Sequence, residues 1–313
     1  MNSRFLRPMR TTRLATRFRN SVNSVKAAKA PVIALTAAAA CAAGMIATAP
    51  TVAAQPSGKD LVVFGDSFTA NPTLPPNHII AGTGPTSGSR VPVPGAGGCP
   101  QDAENWSRVA AGILDVSMAD YSCNGLGRVP RTDLINTVVD ATNKGDLGPT
   151  TRKVVLMYGG LDVLQWVDTG THVLGVAGSL PSGYQATITD ARDRIRAAAP
   201  NAEIVMAGYP ELGDGDNLCV INTTPNVPAP ITVPGAGGIE MALQSSIRTA
   251  ADVNGLRFID MKALTRGHGT CAAPDSQRYV SGIFDTTSDH NMKLHPTLEG
   301  SRAMGRIMAD QLR

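Results

Sequence analysis

Five short apolar runs, set between longer stretches of helical periodicity, constrain this chain more than any other feature. Asp60-Leu61-Val62-Val63-Phe64-Gly65 reads as a buried strand ending at a glycine, and Lys153 to Tyr158 is a clearer one, ended by Gly159-Gly160. Ala202 to Ala207, Leu256 to Ile259 and a weaker run ending near Ser122 complete the set. Helical patterns lie between and after them, at Trp106–Leu114, Thr132–Asn143 with Thr132 as cap, Ala186–Ala198 stopped by Pro200, Gly238–Val253 and Thr297–Leu312. Strands without polar alternation are buried on both faces, and strands alternating with helices imply a parallel sheet covered on each side. The expectation is one three-layer α/β domain from Gln55 to Arg313, with residues 71–100, rich in Pro and Gly, as a long loop. Ligands of such open sheets bind beyond the carboxyl ends of the strands. Phe64 to Ser67, Tyr121 to Gly125 and Tyr158 to Asp162 are therefore expected on one rim.

The first 54 residues read differently. Met1 to Ala30 carries eight Arg and Lys and no Asp or Glu, an Ala-rich apolar run extends from Pro31 to Ala49, and small residues follow. A basic stretch, an apolar stretch and small residues make a secretory signal peptide, with cleavage expected after Ala54. Retention of the apolar run as a membrane anchor and lipidation of Cys41 are the alternatives. Removing the leader leaves 20 of the 28 Lys and Arg against all 25 Asp and Glu. A net acidic remainder does not suit nucleic acid, whose phosphates call for a positive surface.

Apart from Cys41 the cysteines are Cys99, Cys123, Cys219 and Cys271. An even number in an exported chain suggests two disulfides; three connectivities are open, and the sequential one, Cys99–Cys123 with Cys219–Cys271, is favoured. No metal-ligand spacing is present, and neither a metal nor a cofactor is expected.

Two residues have the chemistry of a hydrolytic pair. Ser67 follows a buried strand in a Gly-flanked turn, where its hydroxyl would project at the sheet edge; the plain alternative is a strand-to-helix turn capped by Asp66 or Ser67. His295, before Pro296 and the last helix, is one of five histidines, and a weak hydroxyl nucleophile needs such a base within hydrogen-bond reach.

Phe64-Gly65-Asp66-Ser67-Phe68 resembles the first block of the GDSL/SGNH hydrolases, and Cys123-Asn124-Gly125 resembles the second. Gly159-Gly160-Leu161-Asp162 is similar to the third block, usually Gly-Gly-Asn-Asp, and Leu294-His295-Pro296-Thr297-Leu298-Glu299-Gly300 to the last. Cys99 and Gly267-His268-Gly269-Thr270-Cys271 look like the secreted actinobacterial lipase and esterase branch. The resemblance implies a flavodoxin-like α/β/α fold and hydrolysis of carboxylic esters through an acyl-enzyme on Ser67, with His295 as base. The amides of Ser67 and Gly125 would then form the oxyanion hole.

Two positions depart from the family pattern. Leu161 stands where an Asn normally donates to the oxyanion, a contribution of roughly 3–4 kcal/mol; Asn124 and Gln165 are nearby substitutes. Met292 stands at the acid position three residues before His295. The Met292 carbonyl is then expected to orient the imidazole, with Asp289 or Asp285 as alternatives, and Asp162 is read as structural. The implied partner is a small-molecule or lipid ester, met by a monomer with no lasting membrane span, outside the cell or in its envelope. A weakened lipid- or glycan-binding relative and an acyltransferase using a hydroxyl acceptor are the competing readings. Trp106 is expected in the core, Trp166 in the core or the acyl pocket, and the 71–100 loop as a wall over Ser67.

Overall fold

A computed structural model of the chain describes residues 57–73, 91–126, 130–159 and 182–313. All of them belong to the unit Ala53–Arg313. The expected leader, Leu161, Asp162, Gln165, Trp166 and most of the 71–100 loop lie outside the described residues.

The five apolar runs form one sheet: β1 (Leu61–Gly65), β2 (Met118–Asp120), β3 (Lys153–Met157), β4 (Glu203–Ala207) and β5 (Arg257–Ile259). Their order is β5-β4-β3-β1-β2, and every neighbouring pair is parallel. Val63 is in register with Asp120 on one side and Val155 on the other, so β1 is a central strand. All five of its residues are buried, which is why it shows no polar alternation.

Crossovers between parallel strands of one sheet are right-handed as a rule. The helices are α1 (Ser67–Ala70), α2 (Trp106–Leu114), α3 (Pro130–Asn143), α4 (Ser182–Ala198), α5 (Ala236–Val253), α6 (Met261–Leu264) and α7 (Leu298–Leu312). The chain moves outward from β1 to β2 through α2, then reverses across β1 to β3 through α3. A fixed hand therefore puts α2 and α3 on opposite faces. Packing agrees: α2 lies against α7, while α3 packs on α4 and α4 on α5. Gly305 lets α7 approach α2, because a Cβ there would stand 2.5 Å from the Val109 side chain. Trp106, fully buried as expected, donates its indole N–H to the Thr69 hydroxyl at 3.1 Å and so ties α2 to α1.

Local chemistry accounts for most boundaries. Asn105 caps α2 by accepting the Arg108 amide, and Thr297 caps α7 by accepting that of Gly300. Helix α3 begins at Pro130 rather than at Thr132, since a proline in the first turn lacks only an N–H that would have no helical acceptor. Within the expected 71–100 loop, Val93–Pro94 pairs antiparallel with Pro100–Gln101. Both expected disulfides are present, Cys99–Cys123 and Cys219–Cys271.

Candidate active site

The sheet order reverses between β1 and β3, which is where ligands bind an open parallel sheet. Asp66 follows β1 and caps α1, its carboxylate accepting the Phe68 amide at 2.9 Å and the Tyr209 hydroxyl at short range. Ser67 is the first residue of α1 and only 8% exposed. As a first-turn residue its amide has no acceptor within the helix. Asp66, not Ser67, is therefore the cap, and the Ser67 hydroxyl is left to other work.

That hydroxyl lies 2.8 Å from Nε2 of His295. On the other side of the ring, Nδ1 lies 2.8 Å from the Lys293 carbonyl. A carbonyl can only accept, so Nδ1 carries the proton and Nε2 presents its lone pair to Ser67. Loss of hydration pushes the His295 pKa down to about 4, with the Lys293 carbonyl opposing the shift. The imidazole is thus neutral and able to take a proton at neutral pH. Phe68 stacks on it with ring centroids 4.6 Å apart, and Tyr209 meets the other edge of Phe68 at 5.1 Å.

The second segment of the rim is anchored from β2. The Asp120 carboxylate accepts the Ser122 amide at 2.8 Å and the Asn105 side chain at 2.9 Å. Cys123 donates to the Gly65 carbonyl at 3.1 Å, and its own carbonyl accepts Leu126 at 3.2 Å. The turn this closes puts Gly125 at φ 85, a conformation glycine adopts without strain. Asn124 is exposed in the same turn. The third segment starts with Gly159 at φ 128, and the carbonyl before it, of Tyr158, accepts the Tyr184 hydroxyl at 2.6 Å.

The model of the GDSL-like Lipase/Acylhydrolase family matches residues 63–303, most of the chain. The chain belongs to that family. Lipase 2 of Streptomyces coelicolor is 26% identical over 268 residues, which is 78% of this chain and 87% of that protein. Phospholipase A1 of Streptomyces albidoflavus shares the fold at a TM-score of 0.52 and 21% identity, over 82% of this chain and 98% of that one. The extracellular lipase of Streptomyces rimosus does so at 0.52 and 17%, over 81% and 99%.

In this GDSL-like protein the expected acid position holds a surprise of one residue. The carbonyl facing His295 is that of Lys293, not of Met292, whose carbonyl accepts the Ser281 hydroxyl at 2.9 Å. Leu294, between Lys293 and His295, is left-handed at φ 54, and the turn brings the Lys293 carbonyl back to Nδ1 of the ring. With both ring nitrogens engaged, neither Asp289 nor Asp285 is needed to hold the imidazole. Asp285 has another task. It is fully buried against Arg278, with Nη1 to Oδ2 at 3.1 Å, and accepts the amides of Gly282, Thr287 and Ser288. Burial pulls its pKa up, but the guanidinium and these N–H groups more than offset this and hold it below 3.8. Asp289 borders a shallow cleft shared with Asp275, Thr297, Glu299 and Arg302. Among the described residues no group of His, Cys, Asp and Glu is placed to bind a metal.

Tyr209 and Asn71 were given no site role by sequence reading, and Phe68 and Leu294 entered it only as members of the quoted blocks. Tyr209 lies in no motif, and a left-handed leucine leaves no compositional trace. Asn71 offered one weak signal, an Asn four residues after the serine, where a short helix could end left-handed.

Proposed function

We propose that the protein is a secreted carboxylic ester hydrolase working through an acyl-enzyme on Ser67. The observation that carries this reading is the 2.8 Å contact between the Ser67 hydroxyl and Nε2 of a neutral, half-buried His295. As Ser67 attacks an ester carbonyl, its proton passes to Nε2. The developing imidazolium is stabilised by the Lys293 carbonyl on Nδ1–H, which gives a Ser–His dyad with a carbonyl where triads have a carboxylate. The oxyanion would be held by the amides of Ser67 and Gly125. His295 then returns the proton to the leaving alcohol and activates the water that releases the acid. The family and the curated lipase relative support an ester as substrate, and a lipid or other acyl ester fits the relatives' names.

Export rests on the leader pattern of residues 1–54 and on the two disulfides, which form in oxidising compartments. Among the described residues no helix is long and apolar enough to cross a membrane. A serine and a neutral histidine in bonding contact favour catalysis over a binding-only role.

The test is release of p-nitrophenol from esters of increasing acyl length by the chain from Gln55 onward, with Ser67→Ala as control. Hydrolysis that vanishes with the hydroxyl is the expected result. Turnover equal to the Ser67→Ala control in a folded protein would overturn the reading. N-terminal sequencing of the protein from culture medium should begin at Gln55.

A further inference from the structure

Ser67 and His295 are 228 positions apart and reach the rim on separate segments, α1 and the loop ahead of α7. One residue bonds to both, to the first through its backbone and to the second through its side chain. Asn71 ends α1 in a left-handed conformation, φ 40, and its amide donates to the Ser67 carbonyl at 2.8 Å. Its Nδ2 donates to the carbonyl of Pro296, the residue after His295, at 2.9 Å, and to the Ser301 hydroxyl at 3.2 Å. Asn291, from the same loop as His295, donates to the Asn71 carbonyl at 2.8 Å and to Asp102. The Asp102 amide in turn bonds Ala70 at 2.9 Å, and the Thr73 hydroxyl donates to Oδ1 of Asn291 at 2.7 Å. Asn71 is fully buried, and Thr73, Asp102 and Asn291 are exposed by 5% or less.

The direction of the contact matters. The Pro296 carbonyl can only accept, so position 71 must supply a donor there. The network lies out of water, where a lost donor leaves its acceptor unsatisfied. We infer that Asn71 is a positioning residue: through the Pro296 carbonyl it sets the distance between the Ser67 hydroxyl and the His295 ring. The kinetic side of this inference rests on the hydrolase reading above. Misplacement of a reacting pair by about 1 Å can cost about a hundredfold in rate, whereas the Asn71 side chain need touch no substrate.

Two variants test it. Asn71→Gly keeps the left-handed backbone accessible and removes the donor; kcat should fall about ten- to a hundredfold while KM stays within about twofold. Asn71→Asp keeps the shape and makes the donor pH-dependent, because a protonated acid donates to the Pro296 carbonyl and a carboxylate repels it. The charged or titratable groups around the position are Asp102, reached through Asn291, His295 beyond Pro296, and Asp66 at the other end of α1. The two carboxylates and burial all favour the protonated acid. The Asn71→Asp enzyme should therefore work nearly as the wild type at mildly acidic pH and fall about tenfold or more by pH 8, where the wild type should stay flat.

Nuclear magnetic resonance titration of His295 supplies a readout independent of turnover. Its pKa, about 4 in the wild type, should rise toward 6.5 in Asn71→Gly as the loosened ring regains water. Wild-type kcat and an unshifted His295 in a folded Asn71→Gly protein would overturn the inference, as would an Asn71→Asp pH profile parallel to the wild type. Absence of Ser67-dependent hydrolysis in the wild type would strike the hydrolase reading instead, and the His295 titration would still decide the role of Asn71.

Discussion

Leu294 and His295 divide one task between backbone and side chain. The left-handed turn at Leu294 costs free energy, because a Cβ crowds the carbonyl in that region, yet it brings the Lys293 carbonyl to the imidazole. Leu294→Val should destabilise the protein by about 1–3 kcal/mol, since a branched Cβ fits that region worse, and lower kcat with it. Leu294→Gly should leave both nearly intact; urea melts and steady-state kinetics compare the two. In the proposed mechanism His295 also fixes the acid limb of the reaction. Because Nε2 must be unprotonated to take the serine proton, kcat/KM should rise with an apparent pKa near 4 and stay level to neutral pH. A limb near 6.5 would mean that the ring is hydrated in solution. The same shift has a sign for stability. The unfolded chain binds this proton at 6.5 and the folded one at about 4, so stability declines as pH falls between those values and levels below. His295→Ala should flatten the melting temperature over that window.

Elements place Ser67 and His295 through a few crowded contacts. Helix α7 fixes the loop that carries His295, and it sits where it does because Gly300 and Gly305 have no side chains. A Cβ at Gly300 would stand 2.0 Å from the Tyr279 carbonyl, which is backbone and cannot yield. Gly305→Ala should cost about 1–3 kcal/mol by overpacking against Val109 on α2, with specific activity of the folded fraction unchanged, since the strain falls far along α7 from Thr297. Gly300→Ala should reduce both stability and activity, because it displaces the first turn beside His295. The segment ahead of α7 depends in turn on the buried Arg278–Asp285 pair. Arg278→Met leaves a buried carboxylate without its cation and should destabilise by about 3–5 kcal/mol, measurable by denaturant titration. The lowered pKa of Asp285 contributes stability that is present above pH 3.8 and lost as pH falls through the lowered value.

For the whole molecule, two disulfides span 24 and 52 residues, worth about 3.5 and about 4 kcal/mol in the chain-entropy account. Their roles should separate on mutation. Paired replacement of Cys99 and Cys123 by Ser should lower activity as well as melting temperature, because Cys123 belongs to the turn that presents Gly125. Replacement of Cys219 and Cys271 should lower the melting temperature with less effect on kcat. Equal kinetic losses from both pairs would show that the Gly125 turn has no special place in the site.

The sequence by itself determined the five strands, most of the helices, the parallel sheet and the rim on which Ser67 and Gly125 stand. Those follow from local patterns: uninterrupted apolar runs cannot face water, and Thr297 acts within a turn of where it stands, whereas the start of α3 at Pro130 rather than Thr132 was not read. The family blocks already paired His295 with Ser67, and the sequential disulfides were favoured; only the tertiary structure decided the finer contacts across long separations. It gave Nδ1 the Lys293 carbonyl rather than that of Met292 and assigned Asp285 to Arg278. It also bonded Asn71 to the carbonyls of both Ser67 and Pro296. The physical reason is that hydrogen-bond direction and burial are properties of packed neighbours; a carbonyl's aim depends on a φ angle that a leucine does not announce. The same amide or carboxylate can cap, pair or position according to what the fold sets beside it.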